Sequence, residues 1–288
     1  MQNKEAKPRN LKKMSKDPKK MKKVVKERYG KIASEQGSCC GPQTGSCGCS
    51  GGSNVASKMV GYSDKELGSI PDGADLGLGC GNPVALATIK EGETVLDLGS
   101  GAGIDCFLAA QKVGKKGKVL GVDMTSEMLQ KARENARTGG FDNVEFRKGE
   151  IEDLPVNSGT VDLVISNCVI NLSPDKPMVF KEAFRVLKKG GRLMVSDLVL
   201  TKKLPKAIAE SVSAYVGCVA GALLKEDYIK AIKDAGFKDV RIISESRYPV
   251  EVLGNDPMVK DAMKKMTVDE LQDAAGSVLS LKVSARKN

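Results

Sequence analysis

The chain has 288 residues, 41% of them apolar, which is enough for one α/β domain with an extension, and no apolar run approaches the ~18 residues of a membrane-spanning helix. Its net charge of +10 sits in residues 1–31, which hold 13 Lys/Arg against 3 Asp/Glu, while the remainder holds 33 of each; a uniformly basic nucleic-acid-binding body is thereby excluded. Histidine is absent, which excludes histidine general-base chemistry and histidine metal ligands.

The basic N-terminus carries no apolar segment of a secretory signal, and eight cysteines without export point to a reducing cytoplasm. Lys12 to Ile32 is predicted to form a helix ending near Gly30, within an arm that is solvated and dispensable through residue 28. Residues 37–54 form a Gly/Ser/Cys-rich loop holding Cys39, Cys40, Cys47 and Cys49. This Cys-Cys…Cys-x-Cys pattern suits either a zinc or copper site or a redox pair.

From Thr94 strands and helices alternate. Strands are predicted at 94–98, 118–122, 144–147, 161–166 and 192–198, with helices at 103–113, 126–138 and 176–187. Helices at 205–223 and 225–235, a strand at 238–244 and a closing strand at 277–285 follow. The pattern gives an α/β, Rossmann-like fold with a seven-stranded, mostly parallel sheet covered on both faces, as in class I methyltransferases. The boundaries expected are 1–54 for the basic arm and Cys-rich loop, 55–245 for the methyltransferase domain with its acceptor-binding insertions, and 246–288 for a segment completing the sheet.

Val95-Leu-Asp97-Leu-Gly99-Ser100-Gly101-Ala-Gly103 joins the first strand to the first helix of this alternation. Glycines bring backbone close to a ligand, and the Gly-x-Gly-x-Gly spacing differs from the Gly-x-Gly-x-x-Gly of pyrophosphate sites. It suits S-adenosylmethionine, with Asp97 at the amino group and Asp123, beside Met124, on the ribose hydroxyls. Glu150, Ile151 and Glu152 follow the third strand where an adenine edge would lie, and Asn167 follows the fourth.

Cys106, beside Phe107 and Leu108, reads as a small core residue. Cys80, Cys168 and Cys218 do not: they lie in a Gly-rich approach loop, at the carboxyl edge of the sheet, and in a Gly-punctuated helix expected to cap the site. Three such thiols suit a soft, thiophilic methyl acceptor.

The phrases Asp97-Leu-Gly-Ser-Gly-Ala-Gly-Ile-Asp-Cys106, Ser166-Asn-Cys-Val-Ile-Asn-Leu172 and Gly217-Cys-Val-Ala-Gly-Ala-Leu223 resemble the arsenite S-adenosylmethionine methyltransferases, over roughly residues 29–245. The resemblance implies that methyl groups pass from S-adenosylmethionine to trivalent arsenic held by Cys80, Cys168 and Cys218. It also makes Cys39 or Cys40 the N-terminal redox cysteine, paired with Cys80. Arsenite and methylarsenite are the implied substrates, and thioredoxin or glutathione the reductant. No permanent metal, membrane or nucleic-acid partner is expected. The sequence departs from the family's eukaryotic pattern in having Leu78 where a tyrosine is common, and in a shorter C-terminal region. The alternatives are a methyltransferase of a small carbon or oxygen acceptor and a thiol-based metalloid sensor. Arsenic's own lone pair needs no general base. The thiols are therefore expected to have lowered pKa values, with Cys168 and Cys218 as the permanent clamp and Cys80 as the third ligand.

Overall fold

The computed structural model describes residues 17–35, 52–248, 274 and 276–288. Helix α1 (Pro18–Glu35) precedes the short helices α2 (Gly52–Met59), α3 (Asp64–Leu67) and α4 (Pro83–Leu86). The alternating body follows: β1 (Thr94–Leu98), α5 (Ile104–Val113), β2 (Lys118–Asp123), α6 (Ser126–Gly139), β3 (Val144–Lys148), β4 (Val161–Asn167), α7 (Lys176–Val186) and β5 (Leu187–Leu200). Helices α8 (Lys206–Ala209), α9 (Val212–Val216) and α10 (Lys225–Asp234) lead to β6 (Lys238–Arg247) and β7 (Val278–Arg286).

The seven strands run in the order β3-β2-β1-β4-β5-β7-β6. Strands β1 to β5 pair in parallel, and β7 inserts antiparallel between β5 and β6. The central strands are apolar because both of their faces are covered. Val95, Leu163 and Ile165 pack with Phe107 and Ala109 of α5 on one face. Leu96, Leu98 and Val164 pack with Phe180 of α7 and Tyr228 of α10 on the other. The strand order reverses between β1 and β4, so a crevice opens at their carboxyl ends, where ligands bind in such sheets.

Three expectations need correction. Helix α1 runs through Gly30 to Glu35 and is no solvated arm: Met21, Val25 and Ala33 are buried. A Cβ at Gly30 would lie 3.1 Å from Glu127 Oε2, so the glycine lets α1 close on α6. The helix expected at 205–223 is broken into α8 and α9 and ends before Gly217. Glycine weakens a helix, and Gly221 approaches the Asn171 carbonyl so closely that a side chain would collide. Cys218 therefore sits on a turn with φ 64°. Strand β5 is also longer than expected at both ends, starting at Leu187 beside Val161 of β4 and pairing with β7 as far as Leu200.

Candidate active site

The crevice is an open cavity whose empty space, including solvent at its mouth, is about 1050 Å3. The β1–α5 turn, the ends of β2 and β4 and the segment after β3 form its floor, the loop 74–79 one wall, and Lys22, Val25 and Tyr29 of α1 its roof. Of the residues expected at the cofactor, Asp97, Gly99, Ser100, Gly101, Asp123, Met124, Ile151, Glu152 and Asn167 line it. Gly103 and Glu150 do not. Gly103 instead lets the turn pack on Phe107, and Glu150 accepts Lys22 Nζ at 2.7 Å outside the lining.

Each acid in the cavity has a distinct environment. Asp123 accepts the Gly101 amide at 3.0 Å and the Thr125 amide at 2.8 Å, so it shapes the glycine turn as well as facing the ligand space. Burial raises its pKa against those two bonds. Asp97 is raised well above the carboxylate range by burial and by the neighbouring Asp105 charge, and accepts the Cys106 thiol at 3.3 Å. Asp105 is pushed up to about 6 by burial, opposed by hydrogen bonds from Asn167 at 3.0 Å and Tyr62 at 2.8 Å. Glu152 accepts the Ser173 hydroxyl at 2.6 Å and pairs with Lys22 at 3.1 Å. Burial opposes the charge of Lys22, but Glu150 and Glu152 outweigh it and raise the pKa.

The cavity fits S-adenosylmethionine. Gly101, at φ 52°, has nothing nearer than Met128 Sδ at 4.0 Å from where a Cβ would stand, so its face is open to a ligand. Ser100 Oγ and Asp75 Oδ2 are buried without a hydrogen-bond partner. An acid-rich wall suits a sulfonium and an ammonium rather than phosphates.

The thiols gather beside this cavity. Cys168 lines it, and its sulfur meets that of Cys80 in a disulfide whose Cα atoms are 5.6 Å apart. The Cys80 amide donates to Asn167 Oδ1 at 3.1 Å, and Ser280 of β7 donates to the Cys80 carbonyl at 2.9 Å. Cys218 donates its thiol to the Cys168 carbonyl at 2.8 Å. All three cysteines are buried, and Asp197 of β5 lies within 4.8 Å of the Cys80 and Cys168 sulfurs. The expectation of a lowered thiol pKa fails for Cys218: burial and the Asp197 charge push it far up, against a hydrogen bond from Tyr29 and the charge of Lys176. Cys106 is fully buried, as expected of a core residue. Cys39, Cys40, Cys47 and Cys49 lie outside the described residues, so the expected pairing of Cys39 or Cys40 with Cys80 has no counterpart among them.

Sequence reasoning missed Lys22, Tyr29, Tyr62, Asp75 and Asp105. Asp105 stands inside the Asp97–Cys106 motif, where a carboxylate in the first turn of a buried helix was the available signal. The others reach the site only through tertiary contacts and carry no local pattern.

The model of a methyltransferase domain family matches residues 89–236. An arsenite methyltransferase of Halobacterium salinarum is 54% identical over 186 residues, covering 65% of this chain and 48% of its own length. One from Aquipseudomonas alcaligenes is 39% identical over 209 residues, covering 68% of this chain and 60% of its own. The chain thus spans about half to three fifths of these curated relatives. The crystal structure of an arsenic(III) S-adenosylmethionine methyltransferase from Chlamydomonas reinhardtii superposes with a TM-score of 0.58 at 34% identity, covering 80% of this chain and 72% of that one. With the glycine turn, the acid-lined cavity and the cysteine cluster in their places, the chain belongs to the arsenite S-adenosylmethionine methyltransferase family.

Proposed function

We propose that this chain methylates trivalent arsenic held by Cys80, Cys168 and Cys218, using S-adenosylmethionine, and so detoxifies arsenite in a reducing cytoplasm. The observation that carries this reading is the cluster of three buried cysteines around Cys168, which itself lines the cavity. Asp123 would hold the ribose, Ile151 and Glu152 would flank the adenine, and Gly99 to Gly101 would face the methionyl arm. When bound, S-adenosylmethionine supplies an electrophilic methyl carbon on a sulfonium. The residues 55–245 would form the catalytic body and 246–288 the segment that completes its sheet, with α1 as a roof over the donor.

Arsenic bound to three sulfurs keeps one lone pair, so the protein has no base to provide, in keeping with a chain that lacks histidine. The thiols hold and aim the acceptor, and burial excludes water from it. Burial also holds Cys218 protonated until a soft ligand takes its sulfur, so the proton leaves with the displaced hydroxide of arsenite as water. A newly methylated arsenic is formally pentavalent. Two thiols that close a disulfide return two electrons to it, and Cys80 with Cys168 has the placement to do so; Cys168 then leaves the arsenic at that step and rejoins the clamp with Cys218 once the disulfide is reduced. Thioredoxin or glutathione would reopen that bond, and Cys39 or Cys40 would serve as a further redox thiol.

The test is arsenic speciation after incubation with S-adenosylmethionine, excess thiol and either arsenite or methylarsenite. Methylated products are expected from both. Cys168→Ser and Cys218→Ser should lose both reactions, and Cys80→Ser only the first, because methylarsenite has one ligand position already filled by carbon. A Cys168→Ser variant that methylates methylarsenite at the wild-type rate would refute the two-thiol clamp. A wild-type protein that yields no methylarsenical would refute the function.

A further inference from the structure

Asp75 lies outside every motif and outside the matched methyltransferase domain, yet it lines the cavity and is only 9% exposed. Its Oδ1 accepts the Ser57 hydroxyl at 2.6 Å and the Gly77 amide at 2.9 Å. Its Oδ2 is buried with no hydrogen-bond partner. A buried carboxylate oxygen without a donor is costly, so such an atom needs a partner that the protein itself does not provide.

The other cavity acids are already engaged. Asp97 receives the Cys106 thiol, Asp105 the Tyr62 and Asn167 side chains, Asp123 two backbone amides, and Glu152 the Ser173 hydroxyl and Lys22. The loop that carries Asp75 also has a defined course. Leu76 packs with Ala102 and Met128 over the glycine turn, and a Cβ on Gly79 would lie 2.7 Å from Asn167 Nδ2 at the end of β4. Residues 75–79 therefore span the interval from the glycine turn to the Cys168 edge. The part of the donor that occupies this interval is its aminoacyl arm, because the adenosyl moiety belongs to the acids after β2 and β3.

We propose that Asp75, oriented by Ser57, binds the α-ammonium group of the methyl donor, in place of Asp97, whose Oδ2 accepts the Cys106 thiol. A primary ammonium brings a full charge and N–H donors to the cavity-lining carboxylate that, among the described residues, has a fully buried oxygen without a partner. The proposal rests on the donor being S-adenosylmethionine. It makes Asp75 a binding residue and Ser57 a positioning residue, and it takes donor recognition into a segment that precedes the alternating fold.

Calorimetry with three thioether ligands tests it without turnover. S-adenosylhomocysteine has the amine and the carboxylate, S-adenosyl-3-thiopropylamine only the amine, and 5′-methylthioadenosine neither. In the wild-type protein the thiopropylamine should bind about tenfold tighter than methylthioadenosine, as a charge-assisted hydrogen bond implies. Asp75→Asn should weaken both amine-bearing ligands by about tenfold and change methylthioadenosine by less than about twofold. A wild-type protein with no preference for the amine, or a variant that weakens all three ligands equally, overturns the assignment of Asp75. A wild-type protein that binds none of the three overturns the donor reading as well.

Discussion

Cys168 and Cys218 have φ of 59° and 64°, and with Asp239 they are the non-glycine residues of positive φ among the described ones. A β-carbon makes that region unfavourable by roughly 1–2 kcal/mol per residue, so two of the three clustered thiols are held where the surrounding structure overrides local preference. Hydrogen bonds from the Cys168 amide to Ser196 and from the Cys218 thiol to the Cys168 carbonyl supply part of that override. Asp197, next to Ser196, is 1% exposed, and burial lifts its pKa from 3.8 to about 7 despite bonds from Leu198 and Tyr228. An acid whose folded pKa is raised binds more protons folded than unfolded across the interval between the two values. Stability therefore falls as pH rises from about 4 to about 7 and is flat above it, by up to the order of 4 kcal/mol from this one group. Asp197→Asn is expected to remove that share, so the melting temperature of the variant should fall less between pH 5 and 7.5 than that of the wild type. Parallel curves would show that Asp197 titrates normally.

At the scale of elements, the alternating body was readable because apolar runs and glycine turns are local signals. Strands β1 to β4 fall where those signals put them, and Asp97, Asp123 and Asn167 reach the cavity because a parallel sheet brings strand ends to one edge. The α1 roof was not readable. Its lysines look like a solvated face, but Lys22 turns inward to Glu150 and Glu152, and Tyr29 donates to the Val216 carbonyl at 3.2 Å beside the Cys218 turn. The break between α9 and Cys218 was hidden for the same reason: a helical composition gives way where Gly221 must pass the Asn171 backbone. The expectation that residues 1–28 are dispensable is accordingly replaced. Their deletion removes Lys22 and Val25 from the roof, and donor affinity measured by calorimetry should fall by about tenfold or more, a loss in line with one or two buried contacts. Unchanged affinity in a folded deletion protein would show that α1 is only an ornament of the cavity.

Over the whole molecule, β7 is the element on which most depends. It separates β5 from β6, buries Leu281 and Val283 completely, and through Ser280 holds the Cys80 carbonyl, 200 residues away in sequence. The alternation of apolar residues at 277–285 signalled a strand, but its partners were not legible, since pairing is decided by what the two neighbouring strands leave uncovered. Leu281→Ala should cost roughly 2–5 kcal/mol, as for other large-to-small changes in a packed core. Chemical denaturation would register this as a lowered midpoint, and a change below about 0.5 kcal/mol would mean that the β5–β7 layer is not a core.

The antiparallel insertion also sets an order of events during synthesis. The β5 edge is complete once Leu200 has emerged, but its neighbour begins only at Val278, after residues 201–277 have been made. At roughly 5–20 residues per second, the ribosome leaves that edge open for about 4–15 s. Over that time Leu198 and Leu200 present an unpaired apolar ladder, the kind of surface that chaperones bind and that nascent chains use to pair with one another. Yield on overexpression should thus be governed by translation speed through this stretch, well before any thiol or cofactor has a part to play.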